Sequence, residues 1–505
     1  MKQLSRIVTA TIFVCTIALM HAHTQDEKSL NEMIDSYIAK AGELREQGYY
    51  EQSVYYLREV VRLRPDDINA IFDLANGLNI ADYNLESLNL YYKLLAKLPN
   101  NKTLLYNCAY TLKKLGRTDD ALLFYDAALA QDENYAEAHF SRSLAYLSTG
   151  DWERGWPEYE WRWMRPDYPE ARTFAQPLWD GSDLHGKRFY MHAEQGLGDT
   201  FQFIRNAKKA KDKGAYVIVG VQRPLATLLK LCPYVDEVVP LFEHPANFDC
   251  HAPFLSMPCI LHDSQESIPQ EIPYLYADPQ LIEYWRQQLA PVTDLKIGIC
   301  WQGNSAYNTA ALRAVVAAKS IQLEQFAPLS AVPGVKLYSL QKETGMDQLS
   351  TLSFPLHTFD NDFDAAHGRF MDTAAVIMNL DLIITVDTST AHLAAALGKP
   401  VWVFIPNPPD WRWMLDRADT PWYANMRLFR QDEPGDWDSV MARIVQELSL
   451  VAQAHQQKKL LPLVQFDASS PSPQRNPNLA HIIQRIQIVE QELSALKNEI
   501  MALAL

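Results

Sequence analysis

The chain has 505 residues and a formal net charge of −15 at pH 7. This length provides for several domains, each large enough to bury its own apolar core. A net acidic protein lacks the broad basic surface that binds a polyanion, so nucleic acid is not an expected partner.

The first 25 residues have the pattern of a secretory signal peptide or a membrane anchor. Two basic residues, Lys2 and Arg6, precede an uncharged and mostly apolar run that ends at Met20. Cleavage after Ala22 would place Met20 where a signal peptidase requires a small residue. A cleaved signal, an uncleaved anchor and an ordinary apolar first helix therefore stay open for segment 1–25.

Residues 34–163 repeat with a period of 34, because Gly48, Gly116 and Gly150 are separated by multiples of that number. Small residues recur on the same period where paired helices would touch: Ala41, Ala75, Ala109 and Ser143 in the first helices, and Ser53, Ser87, Ala121 and Gly155 in the second. This pattern resembles the tetratricopeptide repeat family. Four repeats are predicted.

The resemblance implies a right-handed helical array whose concave groove binds a peptide or protein segment. The second and third repeats depart from the pattern at Asp82 and Glu133. Four repeats also suffice as a mere spacer, so both roles stay open. Aromatic residues are dense from Trp152 to Trp163, and the last repeat is therefore expected to pack onto the domain that follows.

Residues 164–290 alternate between strand and helix patterns and form the first predicted α/β domain. An apolar strand at Lys187–His192 is followed by the glycine loop Gly196–Gly198 and an amphipathic helix through Ala210. Asp199 stands at the start of this helix. Its carboxylate either caps the helix or serves a function at the mouth of the sheet, and both roles stay open.

A second α/β domain is predicted over residues 291–450. Its first strand is Leu295–Trp301, and its centre is a strand–helix–strand unit with apolar runs at Leu382–Val386 and Val401–Phe404. The helix between these runs begins at the small polar cluster Asp387–Thr390. Free backbone N–H groups at such a helix start suit a phosphate or pyrophosphate, and an ordinary capped helix is the alternative.

Six segments between Pro177 and Leu448 carry a family resemblance. They read PLWDGSDLHGKR, HAEQGLGDTFQFIR, KIGICWQGN, DTAAVIMNLDLIITVDTSTAHLAAALGKPVWV, PDWRWMLDR and PWYANMRLFRQ. Together they resemble the heptosyltransferase-related glycosyltransferases of family 9, in the version fused to tetratricopeptide repeats. The last two segments lie in an aromatic and arginine-rich stretch that is interpreted as a loop.

The resemblance implies two Rossmann-like domains that face each other across a cleft, the GT-B arrangement, with a sugar-nucleotide donor held mainly by the second domain. The predicted fold class is therefore α plus α/β, with helical repeats before the GT-B domains and a coiled-coil helix at the C-terminus.

The resemblance also implies roles for individual residues. Asp199 matches the catalytic carboxylate of the family and would act as the base. The implied donor-binding residues are Gly198, Lys319, Asp387, Thr388, Ser389, Thr390, Ala391 and His392.

One part of the sequence departs from the family pattern. The short polar, arginine-containing loop expected after Trp-x-Gly-Asn is replaced here by Ser305–Ala318. Either Arg313 or Lys319 is the surviving cation, or neither is, and Arg412 is a further candidate. No metal site and no cofactor are predicted, because the nucleoside-diphosphate sugar is a substrate.

The C-terminal residues divide into a linker and a heptad segment. Residues 451–477 are rich in Gln, Ser and Pro and are predicted to be a linker. Beyond it, apolar residues at alternating steps of four and three form a seam: Ile482, Ile486, Val489, Leu493, Leu496, Ile500 and Leu503. The seam predicts a coiled-coil helix over 478–505 that self-associates through 482–503, and a single helix folded back on the body stays open.

The leading functional hypothesis is a glycosyltransferase that moves a sugar from a nucleoside-diphosphate sugar to an acceptor hydroxyl, with the repeats recruiting a protein or glycan-linked acceptor. The alternative is a non-catalytic tetratricopeptide scaffold with a drifted GT-B domain, and a third hypothesis is a secreted effector. Segment 1–25 favours export, whereas nucleotide sugars are cytoplasmic. An anchor that leaves the GT-B domains on the cytoplasmic side would reconcile these two observations.

Overall fold

The structure is a computed structural model that describes residues 28–168, 172–243, 245–306, 310–459 and 463. The predicted signal or anchor, the heptad segment and most of the predicted linker lie outside the described residues. The described chain divides at Asp132 into two compact units, one over 28–132 and one from Glu133 onward. Within the described ranges, no helix is long and apolar enough to cross a membrane.

The first unit consists of helices that each pack on the next one along the chain. They are α1 (28–46), α2 (Tyr50–Leu63), α3 (Ile68–Ile80), α4 (Asn84–Leu95), α5 (Lys102–Lys114) and α6 (Thr118–Gln131). The Ser53 hydroxyl donates to the carbonyl oxygen of Ala41 at 2.8 Å, and the Ser87 hydroxyl donates to that of Ala75 at 2.7 Å. The two bonds are one repeat period apart, so the predicted helical repeats are confirmed.

The turn inside each repeat requires a left-handed backbone conformation. Gly48 and Gly116 adopt φ angles of 86° and 73° there, and Asp82 takes the equivalent position with φ of 63°. This conformation costs a residue with a side chain roughly 1–2 kcal/mol, and Asp and Asn tolerate it best. The Asp82 carboxylate also pairs with the Lys114 ammonium group at 2.6 Å. The second repeat therefore keeps the turn despite its departure from glycine.

The fourth helix pair belongs to the second unit. Its helices are α7 (Ala136–Thr149) and α8 (Trp152–Tyr159), and a 3₁₀ turn at Glu160–Met164 follows directly. The Trp152 ring stacks on Trp422, with ring centroids 4.9 Å apart. The predicted packing of the last repeat onto the following domain is confirmed.

The first sheet of the second unit has four parallel strands. They are β1 (Arg188–His192), β2 (Tyr216–Val221), β3 (Glu237–Pro240) and β4 (Cys250–Pro253), in the spatial order β3-β2-β1-β4. The helices after these strands are α9 (Leu197–Phe203), α10 (Arg205–Asp212), α11 (Ala226–Leu229) and α12 (Met257–Ile260). The sequence of β4 lacks the alternation of apolar and polar residues that is typical of a strand, so the sequence pattern does not predict this strand.

The second sheet has five parallel strands and begins after α13 (Pro279–Leu289). Its strands are β5 (Leu295–Cys300), β6 (Val335–Ser339), β7 (Leu382–Val386), β8 (Val401–Ile405) and β9 (Met426–Arg430), in the spatial order β6-β5-β7-β8-β9. The accompanying helices are α14 (Ala310–Ala318), α15 (Ala327–Ser330), α16 (Met371–Asn379), α17 (Ser389–Ala396) and α18 (Trp437–Gln456). Every residue of β7 and β8 is buried, as expected for central parallel strands.

The helical repeats and the two parallel sheets confirm the α plus α/β class, and three local predictions are corrected. The aromatic and arginine-rich stretch was predicted as loop but contains edge strand β9, which pairs with β8. Part of the replaced loop Ser305–Ala318 is helix α14. Helix α18 continues to Gln456, so the first residues of the predicted linker 451–477 are helical, and Val451 and Ala452 are buried.

Candidate functional site

A cavity of about 410 Å³ lies at the carboxyl ends of both sheets in the second unit. Loops that follow parallel strands meet at this edge, which is where ligands bind in open α/β sheets. The predicted residues that line the cavity are Gly198, Asp199, Lys319, Asp387, Thr388, Ser389, Thr390, His392 and Arg412. The structure therefore brings most of the predicted site together.

Two predicted residues lie elsewhere. Ala391 is fully buried inside α17 and does not face the cavity. Arg313 is exposed on α14, six residues before Lys319, which is roughly 9 Å along a helix. Lys319, which comes directly after α14, is thus the one of the two candidate cations that reaches the cavity.

Asp199 is placed by the first turn of α9. Its Oδ2 accepts a hydrogen bond from the backbone N–H of Gly196 at 2.8 Å, and its Oδ1 accepts one from the Arg412 guanidinium group. Burial raises the pKa of Asp199 above its usual value, although the positive charge of Arg412 and the Gly196 N–H lower it. The carboxylate therefore both caps the helix and faces the cavity, and burial makes it a better base than an exposed aspartate.

Arg412 connects the second sheet domain to α9. Its Nε donates to the side-chain oxygen of Gln202 at 2.9 Å, and its Nη1 donates to Asp410 Oδ1 at 3.0 Å. The guanidinium carbon also lies 4.3 Å from the centroid of the Trp411 ring. These contacts leave Arg412 with a fixed position between Asp199 and Asp410.

Asp387 and Lys319 form a partly buried ion pair with an N···O distance of 3.2 Å. Burial acts to raise the pKa of Asp387, but the Lys319 charge holds it below its usual value. Burial likewise acts to lower the pKa of Lys319, but the Asp387 charge holds it above its usual value. Both groups are therefore charged at neutral pH.

The start of α17 faces the cavity without a side-chain cap. Thr388 is the N-cap residue, and among the described residues its side chain makes no capping hydrogen bond. Its Oγ1 instead lies 3.4 Å from Thr385 Oγ1 and 3.7 Å from Cys300 Sγ. The first N–H groups of the helix are thus available to an anion, which the positive end of the helix dipole favours.

His392 lies on the first turns of α17, opposite the glycine loop. Its Nδ1 is 2.9 Å from the Tyr423 hydroxyl, and its ring stacks on Trp413 with centroids 5.4 Å apart. A Cβ atom at Gly198 would come within 2.9 Å of His392 Cδ2, so a larger residue there would separate α9 from α17. Burial lowers the pKa of His392 to about 3, so this residue is a neutral imidazole and not a cation.

Acidification is expected to destabilise the second unit through His192 and His392. Burial lowers the pKa of each to about 3, whereas the unfolded chain has a value of about 6.5. Because the unfolded state binds protons that the folded state excludes, stability is complete above about pH 6.5 and falls as the pH approaches 3. Between pH 7 and pH 5 each histidine is expected to cost about 2 kcal/mol, measured by denaturant unfolding.

A matched variant separates the two histidines. His392→Gln keeps a hydrogen-bonding group for Tyr423 but does not titrate, so the loss of unfolding free energy between pH 7 and pH 5 should be about 2 kcal/mol smaller than in the parent. An undiminished pH dependence in this variant would contradict the assignment.

Lys342 is a cavity residue that the sequence reasoning missed. Its Nζ donates to the carbonyl oxygen of Phe363 at 2.8 Å and lies 5.0 Å from the centroid of that ring. Within the described ranges no carboxylate pairs with it at 4 Å or less, in contrast to Lys319 and Arg412. Lys342 follows β6 by three residues, so the rule that site residues follow parallel strands could have identified it.

In the part of the chain that the structure describes, no three His, Cys, Asp or Glu side chains form a cluster that could hold a metal ion.

Comparison with known proteins places the family similarity at the cavity. The model of glycosyltransferase family 9 (heptosyltransferase) matches residues 365–416, which include the start of α17 and Arg412. Protein FlbA of Caulobacter vibrioides (strain ATCC 19089) is 26% identical over 369 residues, which cover 68% of this chain and 60% of that protein. The chain therefore spans about 60% of the length of this curated relative.

Two solved structures are similar to different parts of the chain. ADP-heptose lps heptosyltransferase II of E. coli is 14% identical and matches 54% of this chain and 99% of its own, with a TM-score of 0.38. A tetratricopeptide repeat protein from Parabacteroides merdae ATCC 43184 is 20% identical and matches 26% of this chain and 53% of its own, with a TM-score of 0.24.

Proposed function

We propose that this chain, in which tetratricopeptide repeats are joined to a heptosyltransferase-like glycosyltransferase domain, transfers a sugar from a nucleoside-diphosphate sugar to an acceptor hydroxyl. One observation carries the proposal: a buried carboxylate with a raised pKa shares a single cavity with an uncapped helix start and a charged lysine. The carboxylate is equipped to act as a general base, and the helix start with its lysine is equipped to bind a diphosphate.

The donor diphosphate is assigned to the start of α17. The free N–H groups after Thr388 would donate to its oxygens, and Lys319 would supply a positive charge that Asp387 maintains. Lys342 would supply a second charge, which makes no ion pair at 4 Å or less with a carboxylate among the described residues. Because His392 is neutral, it would contribute a hydrogen bond and a closely packed surface to the donor site, but no positive charge.

The chemistry is assigned to Asp199. As the acceptor oxygen bonds to the anomeric carbon of the donor sugar, the acceptor proton passes to the Asp199 carboxylate. The bond between that carbon and the diphosphate oxygen breaks, and the electron pair leaves with the diphosphate. The helix N–H groups and Lys319 stabilise the charge that develops there, because they are already oriented toward it.

Calorimetric titration with nucleoside diphosphates tests the proposal. A binding nucleotide should also stabilise the fold, by about 2.7 kcal/mol at 100 times its dissociation constant. The nucleotide that binds then selects the sugar nucleotides for a transfer assay. If no nucleoside diphosphate binds, the non-catalytic scaffold is favoured, since the replaced loop Ser305–Ala318 already departs from the family pattern.

The repeats are proposed to recruit the acceptor, and their removal tests this role. Residues 28–131 form most of a compact unit of their own, so their deletion should leave the second unit folded. The KM for a native acceptor is expected to rise about tenfold or more, equivalent to about 1.4 kcal/mol, because contacts remote from the reacting hydroxyl are lost. Donor hydrolysis should be unaltered, and an unchanged KM would show that the repeats do not select substrates.

A further inference from the structure

The last helix of the repeats ends in a tyrosine with unusual contacts. Tyr91, Tyr125 and Tyr159 occupy the same repeat position, each 34 residues after the previous one, and all three are buried. In the second repeat the hydroxyl of this residue donates to the Asn76 side chain at 2.6 Å, within the same repeat. In the fourth repeat, Tyr159 instead contacts the loops that carry the candidate active site.

The Tyr159 hydroxyl contacts the glycine loop that precedes Asp199. It accepts a hydrogen bond from Gln195 Nε2 at 3.1 Å, and the Tyr168 hydroxyl accepts from the same nitrogen at 3.0 Å. Gln195 lines the cavity and is followed by Gly196, whose N–H binds the Asp199 carboxylate. Tyr159 therefore binds the residue directly before Gly196, which donates the hydrogen bond that orients Asp199.

The Tyr159 ring contacts the other loop of the site. It packs on Trp411 with ring centroids 6.1 Å apart, and Trp156, one turn earlier in α8, packs edge-on against the same ring at 5.4 Å. The Arg412 guanidinium group lies over that indole at 4.3 Å. Helix α8 thus supports both members of the Asp199–Arg412 pair, which are more than 200 residues apart in the chain.

A buried ion pair anchors the end of the repeats to the same loop. Arg162, in the 3₁₀ turn after α8, donates twice to the Glu194 carboxylate, with both N···O distances at 3.0 Å. Its Nη2 also donates to the Ser256 hydroxyl at 2.7 Å. Arg162 is fully buried, and Glu194 directly precedes Gln195. This pair prevents the end of the repeats from moving independently of the loop.

We propose that the fourth repeat positions the Asp199–Arg412 pair, with Tyr159 as the positioning residue. The expected effect on catalysis rests on the proposed glycosyl transfer. The contacts of α8 with the two loops do not depend on that function. It assigns the last repeat a role in the chemical step, separate from any capture of an acceptor by the preceding repeats. The distinction is testable because the equivalent tyrosines of the earlier repeats provide matched controls.

The primary experiment compares Tyr159→Phe with Tyr125→Phe in the full chain. Both remove one buried hydroxyl from the same repeat position and keep the ring. Tyr159→Phe is expected to lower kcat about fivefold while the nucleoside diphosphate Kd stays within about twofold, since one hydrogen bond to the loop is lost. Tyr125→Phe should leave kcat unchanged. Equal effects of the two variants on kcat would overturn the proposal.

A double-mutant cycle tests whether the effect passes through Gln195. If Tyr159 acts through this side chain, Tyr159→Phe should have little further effect on kcat in a Gln195→Ala background. Fully additive losses would overturn the assigned route.

Hydrogen exchange provides a readout that does not require turnover. Tyr159→Phe is expected to accelerate amide exchange several-fold in residues 193–199, because its hydroxyl contacts Gln195, and Tyr125→Phe is not. If the parent protein transfers no sugar, the proposed function fails, and this comparison alone decides the positioning role. Unchanged exchange in residues 193–199 would overturn that role even in an active enzyme.

Discussion

Asp199→Asn is expected to reduce sugar transfer by about a thousandfold, because the acceptor proton would lose its base. The asparagine oxygen can still accept the Gly196 N–H bond, so the start of α9 should remain folded. Nucleoside diphosphate affinity should stay within a few-fold of the parent, since Asp199 lies opposite the start of α17 and makes no assigned donor contact. Steady-state kinetics and calorimetry on the same preparation measure the two quantities.

Asp410→Asn is the matched control for this variant. Asp410 is the other carboxylate on Arg412, at 3.0 Å from Nη1, and it also lines the cavity. If Asp199 is the base, Asp410→Asn should retain transfer within about tenfold, a loss equivalent to about 1.4 kcal/mol. A transfer rate for Asp199→Asn within tenfold of the parent would exclude this residue as the base.

Asp387→Ala is expected to weaken nucleoside diphosphate binding by about a hundredfold at pH 8, or about 2.7 kcal/mol. The reason is indirect, because the carboxylate itself would repel a phosphate. Without Asp387, Lys319 loses the larger of the two carboxylate charges that raise its pKa, so burial lowers that pKa against Asp410 alone, and the cavity loses the charge that is assigned to the diphosphate. Affinity should therefore recover as the pH falls and Lys319 regains its proton, and calorimetry from pH 6 to pH 9 measures this recovery.

The same Asp410→Asn variant serves as the control for this prediction. It also removes a carboxylate from a cation of the cavity, but the guanidinium group of Arg412 keeps its charge at every accessible pH. Asp410 also raises the pKa of Lys319, but less than Asp387 does, so the nucleotide affinity of this variant should show a weaker pH dependence than that of Asp387→Ala. An Asp387→Ala affinity equal to that of the parent at pH 8 would remove the start of α17 from the donor site.

The two variants also separate the enzyme from the scaffold hypothesis. The ion pairs themselves do not decide between the two hypotheses, because a scaffold would also keep Asp199 beside Arg412 and Lys319 beside Asp387 if removal of one partner destabilised the fold. Removal of Asp387 leaves Lys319 without its partner, so the stability of this variant should be measured together with its affinity. Loss of stability without loss of affinity would assign the pair to the fold alone.

The sequence by itself determined the features that depend on residues close to one another in the chain. The 34-residue period identified the repeats, because each helix pair must present small residues at the same positions. Apolar runs identified β5, β7 and β8, because buried parallel strands are apolar on both faces. The sheet edge after such strands located Asp199 and Asp387, because loops at the carboxyl ends converge.

The local sequence pattern did not predict the structure at positions where contacts with distant parts of the chain determine it. Strand β9 has two arginines, and only its pairing with β8 makes it a strand. The nine residues of α14 stand where a loop was expected, and their position relative to the cavity selects Lys319 over Arg313. Ala391 lies within the predicted cluster, but the rotation of α17 turns it away from the cavity.

Only the tertiary structure decided the contacts across the candidate site. The pairing of Asp199 with Arg412 joins residues 213 positions apart, and no periodicity in the sequence relates them. The inclusion of the fourth repeat in the second unit depends on Trp156 and Tyr159 meeting Trp411. A repeat pattern specifies how helices pack on their neighbours, whereas the surface that a terminal helix covers is specified by side chains elsewhere in the chain.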